Sequence, residues 1–192
     1  MAVTTLDPKT ALIVVDLQKG IVSLPTVHPI ADVIGHASAL AAAFRSHGLP
    51  VVLVNVVAAA PGRTEQAPRI REFPAGWSDL IPELNRQPDD HMVSKRTPGA
   101  FTATDLDAHL KRLGVTQVVI AGVATGTGVE ATARQAFELG FNVTLAVDAM
   151  TDMNLDVHTN SVTRIFPRLG ETGTTQQIID LLNTRREARR AS

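Results

Sequence analysis

Two charged residues stand where buried-looking apolar runs stop: Asp16 closes ALIVVD and Lys95 closes HMVSK. A carboxylate at such a place is partly stripped of water, which raises its pKa toward general acid or base work. An aspartate there can equally cap a loop or a helix, and the residues alone leave those two readings level. Lys95, if it lies near Asp16, is a cation that tunes that pKa or stabilises a developing negative charge. Taken by itself it reads more simply as an exposed loop lysine, and Arg96 beside it has the same charge and could hold the role instead.

The most unusual stretch is GVATGTGVEATAR, running from Gly122 to Arg134. It follows an apolar run and opens a helical one, so backbone N–H groups around Gly126 to Val129 make an anion site. The plainer alternative is a tight turn that merely needs glycine. Gly126, Gly128 and Ala131 also fit the dinucleotide fingerprint, with Asp148 about 20 residues on. Val123, Ala124 and Thr125 separate that fingerprint from its strand, and it falls late in the chain, so it reads as a decoy. The six histidines show no metal-ligand spacing. Asp152, Asp156 and His158 gather near a helix start, where acids are favoured by the dipole. Neither a metal nor any other cofactor is expected.

These residues need a frame, and the hydropathy pattern supplies one. Residues 11–16, 51–57, 117–122 and 142–148 are short, β-branched and nearly continuous in hydrophobicity, as parallel strands covered on both faces should be. Residues 91–95 form a weaker strand. Helical spacing covers 30–47, 105–113, 129–139, 156–169 and 175–182, with Gly48, Gly114, Gly140 and Gly170 after the first four. Repeated helix, glycine, strand predicts βαβ units and a parallel sheet with helices on both faces. Ligands of such sheets bind beyond the carboxyl ends of the strands, where Asp16, Asn55, Lys95, the 122–128 loop and Asp148 fall. The connection from Ala58 to Asp79 has the length of a functional lid.

The chain of 192 residues fits one α/β domain over 1–192. Residues 183–192 read as a basic tail or a solvated helix end. A net charge of −1 gives no drive toward nucleic acid or anionic lipid. With no cysteine, thiol nucleophiles, thiolate metal sites and disulfides are excluded. The amino terminus lacks the plan of a signal peptide, and no apolar run approaches the roughly 20 residues of a membrane span. A cytoplasmic protein is expected, without a membrane or nucleic-acid partner.

Three motifs in order, ALIVVDLQ, VSKRTPGAF and VVIAGVATGTGVEATARQAFELGFNVTLAVDAMTD, resemble the isochorismatase-like hydrolase superfamily over nearly the whole chain. The resemblance implies a three-layer Rossmann-like fold with a six-stranded parallel sheet, and a site built from Asp, Lys and Cys. Asp16 and Lys95 match the first two, and the cysteine position falls on Gly128. It also implies a cis peptide at Val123–Ala124, aiming the N–H groups of Ala124 and Gly128 at a substrate oxygen. Substrate contacts are expected from Gln18, Val123, Ala124, Thr125 and Thr127. A weaker echo, PGRTEQ followed by FPAGW, resembles an isochorismatase loop and adds Gln66 and Trp77, with Arg69 or Arg71 nearby. Nicotinamidase members bring metal-binding Asp and His after the second strand, where this chain has VNVVAAAPGR.

Without cysteine the covalent route of amidase members is closed. Isochorismatases proper are similar in having glycine here, and they protonate a vinyl ether before water adds. The resemblance therefore implies a cysteine-independent hydrolase of a small molecule with Asp16 as general acid or base. The alternative is a catalytically silent member that binds small molecules or assembles. Relatives of this kind imply a homo-oligomer.

Overall fold

The computed structural model describes residues 3–65 and 73–191, with side chains described as far as Arg185. Six parallel strands form one sheet in the order β3-β2-β1-β4-β5-β6. They are β1 (Thr10–Val15), β2 (Val51–Val56), β3 (His91–Lys95), β4 (Gln117–Val123), β5 (Asn142–Thr151) and β6 (Glu171–Gly173). Chain order reverses at β1, which pairs with β2 on one side and β4 on the other. That is the switch point where a crevice opens beyond the strand ends.

Period-two alternation in β1 builds the three layers. Leu12 and Val14 pack with Val33, Leu40 and Phe44 of α2 (Ile30–Ser46) and with Ile178 and Leu182 of α6 (Thr175–Ala191). Ala11, Ile13 and Val15 face the other way, toward Leu106 and Leu110 of α3 (Leu106–Arg112) and Ala133 and Ala136 of α4 (Glu130–Glu138). Every β1 residue is buried, which is why the run shows no polar alternation.

The elements depart from sequence expectation in instructive places. A short helix α1 (Lys19–Val22) follows β1 unannounced. β5 runs three residues beyond Asp148, and its register with β4 shifts between Ile120 and Gly122. The helix expected over 156–169 is broken into α5 (Leu155–Asn160), a wide turn at Ser161–Ile165 and a 3₁₀ turn at Phe166–Arg168, where Pro167 cannot supply an N–H. The segment from residue 183, read as a basic tail or a solvated helix end, continues α6 to Ala191. Gly48, Gly114 and Gly140 have φ of 63°, 68° and 88° and end their helices as left-handed residues. Gly170 has a different reason: a side chain there would strike the Val143 carbonyl. Among the described residues no helix is long and apolar enough to cross a membrane.

Candidate active site

β1 delivers Asp16 to the switch point in the left-handed region, with φ 52°. Its N–H donates to the Val54 carbonyl at 2.9 Å, fixing it against β2. Lys95 reaches it from the end of β3, two strands away, and Nζ lies 2.7 Å from Asp16 Oδ2. The two side chains are 1 % and 6 % exposed for Lys95 and Asp16, so this is a buried ion pair. Nζ also donates to the Thr97 carbonyl at 3.3 Å. Asp16 Oδ1 is buried and takes no hydrogen bond from the described residues. Burial pushes the Asp16 carboxyl up from 3.8 to about 6, outweighing the charge and hydrogen bond of Lys95, which pull it down.

The loop after β4 closes over this pair. Val123–Ala124 is a cis peptide bond, and residues Thr125–Val129 form one wide turn in which Thr127 and Val129 both donate to the Ala124 carbonyl at 3.1 Å. Gly128 faces the carboxylate. A Cβ on it would lie 3.2 Å from Asp16 Oδ2 and 3.0 Å from Val15 Cγ1. Asp16, Lys95 and Gly128, separated by up to 112 positions in sequence, thus meet at one point.

The other expected contacts are sorted by what they touch. Val123 and Ala124 are buried in the loop. Thr125 is buried too, but its hydroxyl turns to His158 of α5 at 2.8 Å, and Thr127 is exposed. Gln18 braces the frame: its Nε2 donates to the carbonyls of Val56 (3.1 Å) and Trp77 (3.3 Å), and its Oε1 accepts the Val56 N–H at 2.8 Å. Asn55 and Ser78 complete that clasp, Asn55 Nδ2 to the Ser78 carbonyl at 2.8 Å and Ser78 Oγ to the Val56 carbonyl at 3.0 Å. The clasp fixes the end of the long connection, where Trp77 stacks on Phe73 at 3.9 Å and fills the space above Gly20. Gln66, Arg69 and Arg71 lie outside the described residues.

Three features escaped the sequence. Asp152, buried, accepts the Gly126 N–H at 2.8 Å and so pins the turn from outside. Its signal was present in Ala149 and Met150, which prolong the apolar run of β5; ending that strand at Asp148 placed Asp152 at a helix start. The helix cap is instead Asn154, which accepts from the N–H groups of Asp156 and Val157. His158 and His28 form a ring pair behind the turn, with centroids 4.6 Å apart. Asp148, the acid of the dinucleotide decoy, accepts both the N–H and the hydroxyl of Thr175 at the start of α6. Among the described residues no group of three His, Asp or Glu side chains could hold a metal ion.

A doubly covered parallel sheet with a buried carboxylate, a lysine and a glycine turn at its switch point is an α/β fold with a candidate site where such folds bind ligands. Residues 10–177 match the profile of the isochorismatase domain, and the chain belongs to the isochorismatase family, a family of hydrolases. It is 39 % identical over 179 residues to the isochorismatase family protein YwoC of Bacillus subtilis, covering 90 % of this chain and 93 % of that protein. It is 38 % identical to YecD of Escherichia coli O157:H7, covering 90 % of this chain and 96 % of the other. The structure of an isochorismatase family protein from Burkholderia thailandensis superposes with a TM-score of 0.89 at 41 % identity, covering 93 % of this chain and 98 % of that one.

Proposed function

We propose that the chain is a hydrolase of a small molecule that works without a thiol, with Asp16 as general acid and Gly128 where amidase relatives carry cysteine. The observation that carries this reading is the buried carboxyl raised to about 6 beside Lys95. Such a group holds a proton over a useful fraction of the time near neutral pH. On a vinyl ether, Asp16 delivers its proton to the terminal methylene carbon, leaving a cation stabilised by the ether oxygen. Water adds to that cation and returns a proton to Asp16, and the resulting hemiketal releases an alcohol and a ketone. No bond to the protein forms. Lys95 holds a substrate carboxylate or the water, and the N–H groups of Ala124 and Gly128 receive a substrate oxygen. Gly128 presents no side chain to the carboxylate, from which a Cβ would lie only 3.2 Å.

The test is incubation with isochorismate, detection of pyruvate by a coupled assay, and the same assay on Asp16→Asn. Pyruvate from the wild type alone supports the reading; equal pyruvate from both removes Asp16 as the acid.

A second reading, a silent member that binds a small molecule or assembles, draws on the engagement of Gln18 and Thr125 by protein rather than by open space. It predicts no turnover and ligand binding that survives Asp16→Asn. For either reading we propose a homo-oligomer. Leu24, Val27, Met153, Leu155 and Val157 are exposed apolar residues, and the Val27 N–H bonds the Asp152 carbonyl, bringing the two segments together. Sedimentation of the purified protein measures this.

A further inference from the structure

Behind the turn that closes the site lies a small polar assembly with no part in the chemistry above. Thr125 Oγ1 and His158 Nδ1 are 2.8 Å apart. His158 shares a ring contact with His28, from the connection between α1 and α2. His28 is held by Thr151 at the end of β5: its N–H donates to Thr151 Oγ1 at 3.3 Å, and its Nδ1 lies 3.0 Å from the same oxygen. Each ring thus meets a threonine hydroxyl at Nδ1, one from the turn and one from the sheet.

Gly126 and Thr125 are held from this side by different partners. Gly126 has no room for a side chain, because Val157, Ser161 and Asp152 fill that space, and its N–H is bound by Asp152. Thr125 is wholly buried, so its hydroxyl must find an acceptor within the protein.

We propose that His158 is the positioning residue of the Thr125–Gly128 turn, and that its neutral ring alone holds the turn by accepting the Thr125 hydroxyl proton at Nδ1. Protonation of Nδ1 converts the acceptor into a donor. The Thr125 hydroxyl then loses the partner for its proton in a buried place, and the turn relaxes. A charge on His158 also faces His28 at 4.6 Å. Among the described residues, Asp152 just past β5 acts on it, Asp156 is exposed on its own helix, and Glu130 of α4 meets the following turn at Ser161. Glu130 is engaged by Ser161 at 2.6 Å and Arg134 at 2.9 Å. Burial first, then His28, lowers the His158 pKa from 6.5, against an opposing pull from Asp152, so the ring is neutral at neutral pH.

The experiment uses the ¹⁵N-labelled protein and no substrate, so its outcome is independent of whether the vinyl-ether reading holds. The His158 ring and the Thr125 and Gly126 amides are followed through a pH titration. The amides should shift with the midpoint of the ring, below 6.5. His158→Asn keeps an acceptor near the Nδ1 position, and its amides should lose the part of the response that follows the ring. Asp16 titrates in both proteins, so its share of the response is common to the two. In His158→Phe the amides should be displaced at every pH. Should that variant not fold, Thr125→Val removes the donor instead and should raise the His158 midpoint. Amides that ignore the ring's titration, amides that titrate unchanged in His158→Asn, or an unmoved midpoint in Thr125→Val would overturn the proposal.

Discussion

At the residue scale, Asp16 sits under two opposed influences, and burial outweighs the ammonium 2.7 Å away. The sign of the resulting pH dependence follows from linkage. Between 3.8 and about 6 the folded protein keeps a proton on Asp16 that the unfolded chain has released. This contribution to stability is complete below 3.8 and is lost as pH rises through about 6. Its size is on the order of 2–3 kcal/mol. Denaturant melts of wild type and Asp16→Asn at several pH values should show their stability difference moving against the wild type across that window. In the proposed mechanism the same proton is the one delivered to substrate, so turnover should fall as pH rises above about 6. Lys95→Met removes the influence that lowers the carboxyl pKa, and should carry that limb to higher pH in a rate profile. Gly128→Cys tests the geometry of the turn. Its Cβ meets neighbours at 3.0–3.4 Å, so the variant should lose roughly 1–3 kcal/mol of stability. Because the native chain has no cysteine, the new thiol reports its own access to iodoacetamide, and prior binding of a site ligand should protect it.

At the scale of elements, the strand ends that carry Asp16 and Lys95 were legible because fully buried strands write themselves as unbroken apolar runs. β6 was not legible from residues, since Glu171, Thr172 and Gly173 offer no hydrophobic pattern, and its expectation rested on resemblance. The helix expected over 156–169 gives way to a wide turn at Ser161 and then to the 3₁₀ turn that holds Pro167, whose place inside an otherwise periodic segment was the available warning. The orientations of Gln18 and Thr125 were beyond sequence reasoning, because their partners lie 38 and 33 positions away. A residue type announces what a side chain can bond, and the fold decides which partner it meets. The clasp of Gln18, Asn55 and Ser78 makes a prediction at this scale. Gly20→Ala collides with the Trp77 indole, and the chain has one tryptophan. The displaced indole should report a red-shifted emission spectrum, and an unchanged spectrum would mean the strap does not bear on α1.

For the whole molecule, the Arg45–Asp90 ion pair lies at the end of the sheet opposite the Asp16–Lys95 pair. Arg45 of α2 grips Asp90, just before β3, with Nε and Nη2 at 3.0 and 2.7 Å, and also bonds the Leu84 carbonyl. Arg45→Met leaves a buried carboxylate without its cation, a change that costs about 3–5 kcal/mol in comparable sites. It should lower the melting temperature while leaving kcat unaltered, since the Asp16–Lys95 pair lies at the far ends of β1 and β3.

The central claim is that Asp16 protonates carbon and no thiol is needed. The most direct measurement is hydrolysis of isochorismate in D₂O, with the pyruvate methyl group read by NMR. Pyruvate carrying one deuterium from the wild type, and none formed by Asp16→Asn, is the predicted result. Pyruvate formed without deuterium in its methyl group, or formed equally fast by Asp16→Asn, would contradict it.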